Sequence, residues 1–308
     1  MTPSFLVFPK RLPHMPKTAA RRKPNKHPKL GALPEWNLSD LYPGIDSPEL
    51  KRDLAQADTD CALFEEAYKG RLAALAAGEA AGRMLAEAVR QYEAIDDRLG
   101  RLISYASLVY AGNTTDPARA KFYGDVQERI TAASLHLLFF ALELNRVDDA
   151  QLEAAMRDPA LGHYRPWIED LRKEKPYQLE DRVEELFHEK SVTGYSAWNR
   201  LFDESIAGLR FKVAGKSLAI EPLLNLLQDV DGKKRKAAAE ALAKTFKENL
   251  RPFVLITNTL AKDKEISDRW RGFKDIADAR HLSNRVEREV VEALVAAVQA
   301  AYPKLSHR

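Results

Sequence analysis

One cysteine, Cys61, is the only thiol in 308 residues, so the chain can form no internal disulfide, and a structural zinc site built on cysteines is excluded. A reducing compartment fits such usage. No apolar run approaches the roughly 18 residues of a membrane span. Glycine-rich nucleotide-binding patterns are missing as well: there is no G-x-G-x-x-G, no P-loop and no G-x-S-x-G elbow, so dinucleotide, nucleotide and serine-hydrolase chemistry lack their geometric parts. Histidine pairs are missing too. A helical zinc site of the His-Glu-x-x-His kind needs two imidazoles four residues apart on one helix face, with a glutamate beside the first as general base. None of His14, His27, His136, His163, His188, His281 and His307 has a partner at that spacing.

What is present is globular in composition, with 45% hydrophobic and 30% charged residues. The net charge of +3 conceals an asymmetry. Residues 1–33 hold eight Lys or Arg, six prolines and no acid, which leaves 40 basic against 45 acidic residues in 34–308, a net of −5. A proline-broken basic segment cannot sustain a helix and reads as a disordered tail. It lacks the apolar core of a secretory signal, and Met15 is as good a candidate start as Met1. The acidic body shows no clustered Lys and Arg with interleaved aromatics, so no nucleic-acid partner is expected.

From Trp36 onward helical signals dominate. Ser47-Pro48-Glu49, Asp116-Pro117 and Asp158-Pro159 each place a cap before a first-turn proline, and Asn284 with Glu287 has capping-box spacing. Three apolar stripes run with steps of three and four. They are Leu85-Val89-Tyr92-Ile95-Leu99-Leu102-Ala106-Val109, then Phe122-Val126-Ile130-Ala133-Leu137-Phe140-Leu144, and Val286-Val290-Leu294-Val298-Ala301. Breaks at Gly112-Asn113 and Asn145 favour antiparallel helices in a bundle over a coiled coil. Alternation at Leu209, Phe211 and Val213 around Ala214-Gly215 predicts one short β-hairpin near 209–220, and Pro252 predicts a kink or break near Asn249. The fold class is therefore mainly α, a multi-helix bundle-like lobe with one hairpin.

Candidate chemistry is sparse. His188-Glu189 is the nearest approach to a zinc motif, but Val192 stands where the second histidine belongs, and a solvated helix face explains the pair better. Solvated faces also explain Asp96-Asp97 and Glu184-Glu185. Cys61 reads as a small apolar helix residue, because nothing near it supplies a base. Tyr195, Trp198 and Asn199, beside Gly194, read as packing rather than binding residues. No catalytic, cofactor-binding or metal-ligating residue is assigned.

Several stretches nevertheless carry a family likeness. Trp36-Asn37-Leu38-Ser39-Asp40-Leu41-Tyr42-Pro43 is one. More specific are Leu171-Arg172-Lys173-Glu174-Lys175-Pro176-Tyr177 and Glu184-Glu185-Leu186-Phe187-His188-Glu189-Lys190-Ser191-Val192-Thr193-Gly194, followed by Ser196-Ala197-Trp198-Asn199-Arg200-Leu201-Phe202-Asp203-Glu204. Arg235-Lys236-Ala237-Ala238 and Asn258-Thr259-Leu260-Ala261-Lys262-Asp263-Lys264 complete the set. These resemble the oligoendopeptidase F branch of the thimet oligopeptidase-like zinc metallopeptidases, over nearly all of 36–308.

The resemblance implies a large helical fold with a deep channel, one zinc ion and hydrolysis of short peptides in the cytoplasm. The family's zinc helix has no counterpart here. The expected organisation is a tail over 1–33, an N-terminal helical domain over 34–205, and the truncated start of a peptidase domain over 206–308. The chain alone is then expected to bind no zinc, to be inactive, to sit on no membrane, and to self-associate through the surface a missing part would cover. The alternative is a non-catalytic helical module that binds a peptide or a protein partner.

Overall fold

In the computed structural model, residues 35–306 are described; the expected tail over 1–33 lies outside them, as do His14, His27 and His307. The described residues form fifteen α-helices and one hairpin, the mainly α fold expected from the stripes. In chain order the first helices are α1 Pro48–Tyr68, α2 Leu72–Ala77, α3 Ala81–Gly112, α4 Pro117–Leu135, α5 Leu138–Arg146, α6 Asp149–Ala155, α7 Pro159–Gly162 and α8 Arg165–Lys173. After a short 3-10 turn at Lys175–Tyr177 come α9 Asp181–Lys190 and α10 Tyr195–Gly208. The strands β1 Phe211–Val213 and β2 Lys216–Leu218 follow, then α11 Ile220–Leu226, α12 Gly232–Glu248, α13 Leu250–Arg271, α14 Asp278–Ser283 and α15 Arg288–Leu305.

Side-chain caps start these helices where the sequence placed them. Ser47 Oγ accepts from the Leu50 N–H at 3.3 Å, Asp116 Oδ1 from Ala118 at 2.8 Å, and Asp158 Oδ1 from Ala160 at 2.9 Å, each satisfying a donor that the first turn leaves free. Asp148 and Asp231 do the same for α6 and α12. The expected box at Asn284 does not form. Asn284 instead ends α14, Arg285 takes a left-handed φ of 53°, and Glu287 precedes α15 with no side-chain cap; the chain reverses there and leaves no helical turn for Asn284 to cap.

The first two stripes are the core. Leu85, Val89, Ile95, Leu99, Leu102 and Ala106 of α3 are buried against α1 and α4. Around them Phe64 of α1 lies edge-on to Phe140 of α5 with ring centroids 5.1 Å apart, and Tyr92 stacks on Phe140 at 4.9 Å, geometries that aromatic quadrupoles favour. Cys61 is fully buried here and burial pushes its thiol up to about 12, as an inert apolar residue would be. Tyr42, from the first family-like stretch, is 2% exposed; its hydroxyl donates to Asp53 at 3.1 Å and the Arg101 guanidinium lies 4.9 Å above its ring. The second stripe breaks at His136–Leu137, where α4 gives way to α5.

The hairpin forms as expected, with Phe211 opposite Leu218 and Val213 opposite Lys216. Its turn, Ala214-Gly215, has φ of 48° and 76°, the left-handed pair that a two-residue hairpin turn requires. Phe211 and Val213 anchor a second apolar cluster with Leu223, Ala238 and Ala241. Helix α12 stops at Asn249, so Pro252 falls in the first turn of α13, where its missing N–H costs nothing. The expected division after residue 205 falls inside α10.

The third stripe corrects an expectation. Helix α15 exists, but Val290, Leu294 and Val298 are 56%, 64% and 45% exposed. Periodicity specifies a helix with an apolar face; burial needs a neighbour, and among the described residues none covers this one.

Candidate functional site

A groove of mixed polar and apolar lining runs between α3 and α4 on one side and α9 and α10 on the other. It comprises two adjoining cavities of about 530 and 680 Å3, both lined by Gln127, Tyr195 and Ser196. The turn from α9 to α10 lines the smaller cavity. Gly194 donates its N–H to Lys190 O at 2.7 Å, and a Cβ there would lie 2.8 Å from that same oxygen, so only glycine allows the reversal without displacing backbone.

The smaller cavity is held by two polar links. Glu184 and Arg271 form a two-pronged pair at 2.7 Å on each prong, bridging α9 and α13, while Glu184 Oε1 also accepts from the Leu179 N–H at 2.9 Å. Burial pushes the Glu184 carboxyl up, but the bonds from Arg271 and Leu179 outweigh it and hold it below its ordinary range. Glu184 is therefore a buried structural anion, not part of a solvated face as its position beside Glu185 suggested. His188 is likewise half-buried. Its Nε2 lies 3.1 Å from Thr131 O and 2.9 Å from Ser134 Oγ; the carbonyl has no proton to give, so toward Thr131 the ring nitrogen is the donor.

The larger cavity is built by α3, α4 and α10. Tyr110 stacks on Tyr123 with centroids 5.0 Å apart and planes 8° from parallel. Burial pushes the Tyr110 hydroxyl up to about 12, helped by the nearby carboxylates of Glu204 and Asp203, so it stays protonated at neutral pH. Burial also raises Tyr123 and Asp203. Tyr195 and Asn199 are exposed to this space rather than packed in the core, while Trp198 is half-buried. The aromatics beside the α3 and α4 stripes, Tyr110 after Val109 and Tyr123 after Phe122, were a legible signal that periodicity alone passes over.

The two cavities offer hydroxyls, amides, an aromatic face and one hydroxyl–imidazole contact, Ser134 to His188. Among the described residues no three of His, Cys, Asp and Glu gather as a metal site. Nor, among them, is any single helix long and apolar enough to cross a membrane.

Similarity to known proteins adds a family. The model of the family described as Oligopeptidase F matches residues 143–211, which include the Arg172, Glu184 and Gly194 positions. Oligopeptidase PepF of Bacillus subtilis is 24% identical over 304 residues, 94% of this chain and 43% of that protein. An oligoendopeptidase F homolog of Borreliella burgdorferi is 23% identical over 226 residues, 71% of this chain and 38% of that protein. The chain thus spans less than half the length of these curated relatives. The crystal structure of oligoendopeptidase-F from Enterococcus faecium shares the fold, with a TM-score of 0.71 at 18% identity over 83% of this chain and 50% of that one. The family match contains three of the family-like stretches, 171–177, 184–194 and 196–204, these relatives agree with it, and the chain is related to the oligoendopeptidase F-type peptidases.

Proposed function

We propose that this chain is the N-terminal portion of an oligoendopeptidase F-like zinc metalloendopeptidase that hydrolyses short peptides in the cytoplasm, and that it forms part of the peptide channel without carrying the catalytic centre. The observation that carries this reading is the pairing of the family match over 143–211 with a sequence in which no two histidines stand four apart. In the whole enzyme the zinc would polarise a water molecule and stabilise charge on the scissile carbonyl; the residues described here would bind and align the peptide. Three positions in the family-like stretches already have structural roles that support the reading. Arg172 Nη1 binds the carbonyls of Leu144, Asn145 and Val147 at the end of α5, Glu184 anchors α13, and Gly194 permits the α9–α10 reversal.

The test is metal content and cleavage. Purified chain is expected to hold far less than one zinc per molecule and to leave a quenched fluorescent oligopeptide intact; chelator-sensitive cleavage overturns the reading. The exposed face of α15 further supports self-association of the isolated chain. The groove keeps the second reading, a non-catalytic peptide-binding or protein-interaction module, in view. Both readings share the groove and differ in whether a His-Glu-x-x-His segment acts with it.

A further inference from the structure

We infer that the larger cavity is a binding site for a free α-amino acid with an aliphatic side chain, its ammonium group held by Asp203 and its carboxylate by Arg200. The site goes beyond the peptide reading above and needs no catalytic centre. Arg200 and Asp203 line the same 680 Å3 space from one helix, α10. Three positions apart, they share a helix face with Cβ atoms about 5–6 Å from each other, yet they do not neutralise one another. The ion contact of Arg200 is with Glu204, its Nε lying 4.0 Å from that carboxylate, and among the described residues Asp203 has no ion-pair or hydrogen-bond partner.

Both charged groups can reach a ligand, since Asp203 is exposed and Arg200 only half-buried. Gly124 of α4 makes room for the guanidinium. A Cβ there would come within 3.1 Å of Arg200 Nη1, so the bare glycine lets the cation rest against α4, across the cavity from its own helix. Partial burial without a compensating donor raises the Asp203 carboxyl, and a ligand ammonium supplies the missing partner. A simple anion drawn to Arg200 is repelled by Asp203, and a simple cation meets the reverse conflict. A zwitterion with its ammonium and carboxylate on one carbon satisfies both, whereas the neutral backbone of a peptide offers this pair no charge. The remaining lining fits the side chain: Ala111, Ile206, Ala207 and Ile220 form an apolar wall beside Tyr123, and burying an aliphatic group there is favourable. Ser196 and Asn199 of α10 line the same space and offer further donors and acceptors to the two charged ends.

The experiment is equilibrium dialysis of the whole chain against radiolabelled L-leucine. Saturable binding is expected, displaced by unlabelled L-leucine. N-acetyl-L-leucine, which lacks the ammonium, and L-leucinamide, which lacks the carboxylate, are each expected to compete about tenfold less well, the size of one charge-assisted contact. Asp203→Asn is expected to weaken leucine binding about tenfold and to erase the preference for leucine over N-acetyl-L-leucine. Arg200→Gln is expected to do the same for the preference over leucinamide, while Lys236→Ala on the exposed face of α12 leaves binding unchanged. A merely structural role for either residue would lower affinity without altering which end of the ligand is read. Both side chains reach solvent, so the variants keep the fold. Three results overturn the inference: no saturable binding by folded chain, equal competition by leucine and both capped forms, or displacement of leucine by an end-blocked oligopeptide pool more effectively than by leucine itself. The last would return the cavity to a peptide channel and leave the family reading standing.

Discussion

Arg271 reaches 87 residues back along the sequence to grip both carboxylate oxygens of Glu184 at 2.7 Å, and its guanidinium also donates to Tyr177 O at 3.2 Å. With side chains 26% and 10% exposed, the pair is well shielded from solvent and joins the end of α13 to α9. Taking one partner from a buried pair leaves the other charged and unmatched, a loss of about 3 kcal/mol. Arg271→Met should therefore lower unfolding free energy by about that amount in urea titration; a loss below 1 kcal/mol, the range of a surface pair, would show that the link is not buried in solution.

The same pair sets a pH dependence. Glu184 has a folded pKa below its unfolded value near 4.3, so its contribution is fully present above that pH and is lost as pH falls through the lower folded value. Urea titrations of wild type and Glu184→Gln should differ most near neutrality and converge only in acid, as pH falls through the lowered folded value. A gap that stays constant across this range contradicts the assignment.

Gly82 allows the start of α3 to touch the cap of α7. A Cβ there would lie 2.3 Å from Asp158 Cβ and 2.6 Å from Ala155 O, contacts that backbone on both sides must move to relieve. Gly82→Ala is expected to cost about 2 kcal/mol, although alanine is the better helix former. Thermal unfolding decides between steric clash and propensity, because a rise in melting temperature would mean that α3 and α7 are farther apart.

Asp116 caps α4, the helix that carries Tyr123 and Gln127. Asp116→Ala removes the acceptor of the Ala118 N–H and should destabilise the protein by about 1 kcal/mol. Asp116→Asn, which retains a capping oxygen, should recover most of it.

The uncovered face of α15 predicts association. Sedimentation velocity at rising concentration is expected to show oligomers of the wild-type chain that Leu294→Glu with Val298→Lys suppresses. Retention of oligomers in that variant would place the contact elsewhere.

Sequence alone determined the helices, several of their caps, the hairpin and its turn, and the stop before Pro252. Each is governed by a few neighbouring residues: an Asp or Ser oxygen near free N–H groups, a proline without a donor, or an alternating strand around a left-handed turn. The inertness of Cys61 and the family likeness were legible for the same reason, being properties of short windows. Tertiary structure decided which apolar faces are covered and which charges are buried. The stripes of α3 and α15 have the same period, yet one is core and the other open, because burial depends on what packs against a helix and not on its own spacing. Glu184 looks like its solvated neighbour Glu185 until Arg271 arrives from α13. Likewise the groove exists only where α3, α4 and α10 meet, so the open setting of Arg200 and Asp203 could not be foreseen from any one of them.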